Sequence, residues 1–271
     1  MNVPAPVWVI TGASSGIGRR TALDAASEGA IVCATARRKD LLRTLVEEMG
    51  GEDEGHSFFG GDVSERGDVR NLASHVEGVH GRCDVLVNNA GFNIRRLYDG
   101  PGAIDDVERI VATNFLGTVY CTLEFLPLLE RSAPSSVVNV ASVAGRVALG
   151  GSAGYVASKF AVVGWSESIR RELAAKGVYV SLVEPGLIPT EGFPQSDLQT
   201  KALARLTLGT TEAVAAAIRR SARDHKLQRV IPRWYYLLQV PRLLTPPLFR
   251  LAQRQIAHAR TTRASTSSTA R

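Results

Sequence analysis

This chain of 271 residues contains little sulfur, with three cysteines and two methionines. Cys33, Cys83 and Cys121 are odd in number and lie in apolar stretches. That pattern excludes a disulfide-stapled scaffold and points to buried, reduced thiols. Five histidines are scattered without ligand spacing, so no metal site is read. Beyond Pro232 no apolar run approaches the roughly 18 residues of a spanning helix. The N-terminus lacks a charged segment leading into a long apolar stretch, so the expectation is a cytoplasmic chain. Acid is missing from one end: all 26 Asp and Glu precede residue 225, whereas nine of the 32 Lys and Arg follow it. The net charge of +6 therefore belongs to the tail, and the body before it is close to neutral. A basic tail suits nucleic acid or an anionic membrane surface. Its aromatics cluster at Trp234-Tyr235-Tyr236 instead of interleaving with the arginines, which argues against nucleic acid.

What is present is an alternation of Val- and Ile-rich runs with helical patterns, the signature of a parallel sheet covered by helices on both faces. The expected strands are 7–11, 30–36, 57–61, 84–88, 135–141, 178–183 and 228–232, and the expected helices are 16–28, 39–49, 65–79, 103–130, 153–176 and 211–223. The fold class is thus α/β, a single Rossmann-type doubly wound parallel sheet of about seven strands. Residues 1–232 form this body. Residues 233–260 read as a basic amphipathic extension broken by Pro241, Pro246 and Pro247, and the Ser/Thr/Arg-rich 261–271 as a disordered tail.

Three clusters carry chemistry. Thr11-Gly12-Ala13-Ser14-Ser15-Gly16-Ile17-Gly18 joins the first strand to the first helix. Glycines there permit a tight turn and close approach of backbone to a pyrophosphate at the helix N-terminus. The same residues parse as G-x-S-x-G, the nucleophile elbow of α/β-hydrolases, but an elbow has several strands before it, and here only eleven residues precede Gly12. Asn88-Asn89-Ala90-Gly91 ends the fourth strand. Tyr155 and Lys159, thirteen and seventeen residues after Ser142, are four apart and share a helix face. A phenol titrates near about 10 in water, and a neighbouring ammonium is expected to lower that value. Ser142 would hold a carbonyl oxygen while Tyr155 gives or takes its proton.

In these motifs the chain resembles the short-chain dehydrogenase/reductase family in its single-domain form, from about Val7 to about Pro232. The resemblance implies a nicotinamide-dependent oxidoreductase that interconverts a carbonyl and an alcohol, with a catalytic set of Asn114, Ser142, Tyr155 and Lys159. By the same resemblance the cofactor is held by Gly12, Ser14, Ser15, Gly16, Ile17, Gly18, Asp62, Val63, Asn89, Ala90, Gly91, Tyr155, Lys159, Pro185, Gly186 and Thr190. Asp62 and Val63 would line the adenine, Thr190 would reach the nicotinamide carboxamide, and Asn114 would hold a water linking the lysine to solvent. A homodimer or homotetramer through the helices at 103–130 and 153–176 is also implied.

Cofactor choice is read after the second strand, where Ala36 precedes Arg37, Arg38 and Lys39. A carboxylate there would favour NAD, whereas guanidinium suits the 2′-phosphate of NADP, so NADPH is expected. NADPH favours reduction. The pocket expected from 92–98, 143–154 and 187–210 is mostly apolar, with Val143, Ala144, Val147, Leu149, Phe193, Leu198 and Leu203, which points to a lipophilic ketone or aldehyde. Arg95, Arg96 and Arg146 read as solvated surface groups. The alternative in function is a catalytically silent NADP-binding regulator, against which the full set of four catalytic residues argues. For the tail, capping of the core and peripheral contact with a membrane both remain open.

Overall fold

The structure, a computed structural model, describes residues 4–96, 98, 100–148, 151–191 and 208–238. The β-branched runs form strands β1 Val7–Thr11, β2 Ile31–Ala36, β3 Ser57–Gly60, β4 Val85–Asn88, β5 Ser135–Val140, β6 Val178–Pro185 and β7 Gln228–Ile231. All pairs are parallel, in the order β3-β2-β1-β4-β5-β6-β7. The helices are α1 Gly16–Ser27, α2 Lys39–Glu48, α3 Arg66–His80, α4 Ala103–Val111, α5 Gly117–Arg131, α6 Ala153–Ala174 and α7 Thr211–Asp224.

Alternation along each strand sends neighbours to opposite faces, so Ile10 and Val9 serve different cores. On one face Ile10, Val32, Val87 and Val183 pack with Ala22 of α1, Leu42 of α2 and Ile218 of α7. On the other, Val9, Leu86, Val137 and Val180 pack with Leu72 of α3, Phe125 of α5 and Ile169 of α6. Cys33, Cys83 and Cys121 are buried free thiols. Burial raises all three pKa values, to about 11 for Cys33 and about 12 for Cys121. They are packing residues, as the sequence implied.

Strand order reverses at β1, flanked by β2 and β4, and a crevice opens there beyond the carboxyl ends of the strands. The Gly-rich turn follows β1 and Asn89-Ala90-Gly91 follows β4, so the topology brings these two motifs to one place.

One sequence reading is corrected. The single helix expected over 103–130 is interrupted by a π-helical turn, Ala112–Leu116, between α4 and α5. Such turns insert a residue into the helical ladder and often mark functional sites. Asn114 lies within it and is fully buried. The segment Ala103–Arg131 also reaches a mean hydropathy of 1.2 in its best window, enough by length and composition alone for a spanning helix. Here α5 places Phe125, Leu128 and Leu129 in the sheet core, which accounts for that apolar character.

Residues 239–260 of the extension, the tail at 261–271, and Leu149, Phe193, Leu198 and Leu203 of the expected pocket lie outside the described residues.

Candidate active site

The Gly-rich turn is stitched to the end of β4 by the buried Thr11. Its hydroxyl donates to the Val87 carbonyl at 3.2 Å and accepts from the N–H groups of Asn89 at 2.9 Å and Ala90 at 3.0 Å. Asn89 Nδ2 returns a bond to the Thr11 carbonyl at 2.9 Å and reaches that of Gly12 at 3.3 Å. Glycine is needed at 12 on two counts: φ is +67°, and a Cβ would stand 2.8 Å from Ala90 Cα. Gly18 has no room either, because a Cβ there would overlap the Gly12 carbonyl.

Helix α1 starts with no acid in its first turn, and its N-cap Ser15 makes no side-chain capping bond. The Ser14 and Ser15 hydroxyls instead accept from Arg38 Nη2 at 3.1 and 2.9 Å. An arginine cannot act as a base, so this environment does not activate Ser14 as the hydrolase parse would require. Arg37 is exposed and lies 3.6 Å from Asp62 Oδ2. Asp62 Oδ1 also accepts from the Ser64 N–H at 3.0 Å and hydroxyl at 2.8 Å. Val63 is buried against Gly117, where a Cβ would come within 2.8 Å of it. Hydroxyls, two guanidinium groups and an acid-free helix start form a donor set that fits the phosphates of a dinucleotide.

The second half of the site is assembled around Ser142, at the end of β5. A 3₁₀ turn, Val143–Gly145, begins there, and the Ser142 oxygen accepts from the Ala144 N–H at 3.1 Å. The Ser142 hydroxyl donates to the Pro185 carbonyl at 3.2 Å, and Tyr155 is hydrogen-bonded to the same serine. That contact lowers the Tyr155 pKa, as a serine hydroxyl able to donate to the phenolate oxygen does. The phenol and the Ser142 hydroxyl therefore meet at one place, where both can reach a substrate oxygen.

Lys159, one turn along α6 from Tyr155, is 5% exposed. Its ammonium donates to the Val140 carbonyl at 2.8 Å and lies 5.8 Å from the Tyr155 ring centroid. Asn114 Oδ1 accepts from the Phe92 N–H at 2.9 Å, and its Nδ2 donates to the Phe92 carbonyl and the Ser158 hydroxyl, each at 3.0 Å. A Cβ on Gly91 would stand 2.9 Å from Asn114 Oδ1 and 3.5 Å from Lys159 Nζ. Four residues spread over 46 positions of sequence thus meet around the end of β4 and β5.

The titration behaviour differs from the sequence expectation. Burial pushes Tyr155 up to about 12, opposed only in part by the Ser142 bond, and pushes Lys159 down to about 8. Lysine does not hold the tyrosine pKa down in this arrangement, because removing both groups from water outweighs their attraction. At neutral pH the pair is a protonated phenol beside an ammonium.

Pro185 ends β6, and Gly186 and Thr190 follow it into the same crevice. Gly186 N–H donates to the Ile231 carbonyl at 2.7 Å. Thr190 lies against Gly16, where a Cβ would come 3.2 Å from its Cγ2.

Four contacts add to the sequence reading, the first by deciding for the capping role that it left open. Tyr235 is 5% exposed, belongs to a cluster with Val143 and Val230, and covers Gly186 so closely that a Cβ there would sit 2.7 Å from its ring. Arg146 is no solvated group: it donates to the fully buried Glu184 at 2.8 Å and to Glu167 at 2.7 Å, tying the Ser142 turn to β6. Arg96 likewise bonds Asp106 Oδ2 and the Pro101 carbonyl, both at 2.7 Å, while Arg95 is exposed as expected. The fourth, a pair between Arg38 and Glu191, had no sequence signal at all, because its partners are 153 residues apart.

Comparison with known proteins agrees with this geometry. The family model described as short chain dehydrogenase matches residues 6–200. The 3-oxoacyl-[acyl-carrier-protein] reductase FabG of Thermotoga maritima is 35% identical over 212 residues, covering 77% of this chain and 85% of that protein. A 3beta-hydroxysteroid dehydrogenase of Mediterraneibacter gnavus is 35% identical over 187 residues, 66% of this chain and 64% of its own. Among solved structures, a short-chain dehydrogenase from Streptomyces avermitilis superimposes with a TM-score of 0.75 at 27% identity, covering 93% of this chain and 98% of that one.

Proposed function

Because the chain belongs to the short-chain dehydrogenase family, we propose that it is an NADPH-dependent reductase of a lipophilic ketone or aldehyde, with Tyr155 as general acid. The observation that carries the reading is the meeting of Tyr155 and Ser142 one helical turn from Lys159. The Ser142 hydroxyl rests on the Pro185 carbonyl and is bonded to Tyr155. A substrate carbonyl oxygen entering beside Ser142 can accept from both hydroxyls at once.

When bound, the cofactor supplies the hydride, a chemistry that belongs to the nicotinamide. This chain's residues do the rest. Ser142 turns its hydroxyl from Pro185 to the substrate oxygen and holds it. As charge develops on that oxygen, Tyr155 delivers its proton, and the phenolate left behind is stabilised by the Lys159 ammonium. Asn114 fixes the backbone of Phe92 and the Ser158 hydroxyl beside them, so the lysine's surroundings are held in place. The Gly12–Gly18 turn with Ser14 and Ser15, the Asn89–Gly91 segment, Asp62 and Val63, and Pro185, Gly186 and Thr190 line the cofactor crevice. Arg37 and Arg38 support the choice of NADP, since a 2′-phosphate is matched by guanidinium in charge and shape. Reduction is the proposed direction, because the site holds its proton at neutral pH.

The lipophilic substrate rests on Val143, Ala144 and Val147 beside the site. It accords with the names of two relatives, one a reductase of 3-oxoacyl carriers and the other a 3beta-hydroxysteroid dehydrogenase. The proposal extends to a cytoplasmic homodimer or homotetramer.

The test is to follow NADPH oxidation with ketones and aldehydes of graded chain length, in the wild type and in Tyr155→Phe. Turnover should rise with apolar length and fall at least roughly 100-fold in the variant, while NADPH binding persists. Near-wild-type turnover in Tyr155→Phe would remove Tyr155 from the mechanism.

A further inference from the structure

Arg38 is held from two directions. On one side it sits on the phosphate-binding turn, with Nη2 on the hydroxyls of Ser15 at 2.9 Å and Ser14 at 3.1 Å. On the other it forms a two-bond pair with Glu191, Nη1 to Oε1 at 2.6 Å and Nη2 to Oε2 at 3.0 Å. The Ser15 hydroxyl is also within hydrogen-bonding reach of Glu191, and these contacts hold the Glu191 carboxyl below the usual carboxylate range. Thr190, the preceding residue, lies against Gly16 at the start of α1. A carboxylate brought from the far end of β6 is therefore placed at an acid-free helix start, on one guanidinium and one hydroxyl. These are the groups a phosphate of the cofactor would take.

We infer that Glu191 is an internal substitute for the cofactor phosphate, which occupies Arg38 and Ser15 in the free protein and must be displaced before the 2′-phosphate can bind. The inference rests on the NADP reading above. Two features suit a displaceable anion. The side chains of Arg38 and Glu191 are 45% and 61% exposed, so water screens the pair and opening it takes little. A phosphate, with more charge and more acceptor oxygens than a carboxylate, outcompetes it on the same donors. Glu191 then sets the affinity for NADPH below what the turn and Arg38 would reach alone, and it opposes any ligand bringing negative charge to that spot.

The experiment is calorimetric titration of the full-length protein with adenosine 2′,5′-bisphosphate and adenosine 5′-monophosphate. It compares wild type, Glu191→Gln and Glu191→Ala. Both variants should bind the bisphosphate roughly three- to tenfold more tightly, as expected for loss of an exposed ion pair, with a smaller gain for the monophosphate. Unchanged or weaker bisphosphate binding in both variants, in a protein whose wild type still prefers the bisphosphate, overturns the role of Glu191 and leaves the NADP reading intact. A wild type that prefers the monophosphate overturns the NADP reading itself. Neither readout depends on turnover, so the result stands whatever the substrate.

Discussion

Tyr155 and Lys159 carry opposite consequences of one cause. Both are taken out of water, which disfavours the phenolate of one and the ammonium of the other. Tyr155, pushed up to about 12, keeps its proton across the working range, so the titration that controls reduction is that of Lys159 near about 8. Below that value the ammonium is present to stabilise the phenolate formed in the reaction, and above it the lysine is neutral. The kcat/KM for carbonyl reduction should be level to neutral pH and decline as pH rises through about 8, before Tyr155 ionises. Loss of fold does not explain such a decline. The folded lysine binds its proton less tightly than the unfolded one, whose ordinary value is 10.5, so between these values the unfolded state holds more protons and this group makes stability rise with pH. A rate that keeps climbing to pH 9.5 or so, with stability unchanged, would contradict this assignment.

At the scale of elements, the crevice depends on how closely the turn after β1 meets the end of β4. Gly12 and Gly29 both have positive φ, at +67° and +87°, but a Cβ at Gly12 meets Ala90 whereas nothing lies within 4 Å at Gly29. Gly29→Ala should cost only the left-handed conformation, about 1–2 kcal/mol. Gly12→Ala adds a backbone displacement of about 1–3 kcal/mol and should lower Tm by roughly twice as much. It should also abolish NADPH binding, which Gly29→Ala leaves intact. Thermal melts and cofactor titration of the two variants check this, and equal Tm losses would show that the two turns are not packed as described. The elements were legible because their signals are local: continuous Val- and Ile-rich runs and Gly-rich turns identify all seven strands within two residues. The π turn at Ala112–Leu116 was not legible, since nothing local distinguishes it from α-helix. It is the Asn114 bonds to Phe92 and Ser158, residues on other elements, that give the widened turn its purpose.

For the whole molecule, the open question posed by the sequence is the tail. Part of it caps the body: Tyr235 is buried on Gly186 and against Val143, so the core extends past Pro232. Beyond Leu238 remain six arginines and no acid, together with Leu243, Leu244, Leu248, Phe249 and Leu251. We propose that this remainder meets an anionic bilayer, where each basic residue near the surface adds about 1 kcal/mol. The comparison to make is sedimentation with anionic vesicles of the full chain and of a chain ending at Leu238, which keeps Tyr235. Binding that is lost on truncation and weakened by salt is the expected result. Equal failure of both proteins to sediment would dismiss the membrane role.

The sequence by itself determined the family and the doubly wound sheet and singled out the candidate residues, because each rests on short-range pattern: apolar runs, glycine spacing, and a tyrosine and lysine one helical turn apart. Only the tertiary structure decided the states and partners of those residues. Whether burial or a neighbouring charge controls the Tyr155 proton, and which carboxylates claim Arg38 and Arg146, both depend on groups far apart in the chain. Glu191 reaches Arg38 across 153 residues, and Glu184 reaches Arg146 across 38. Solvation and charge act through space, and their balance exists only once the sheet has brought the strand ends together.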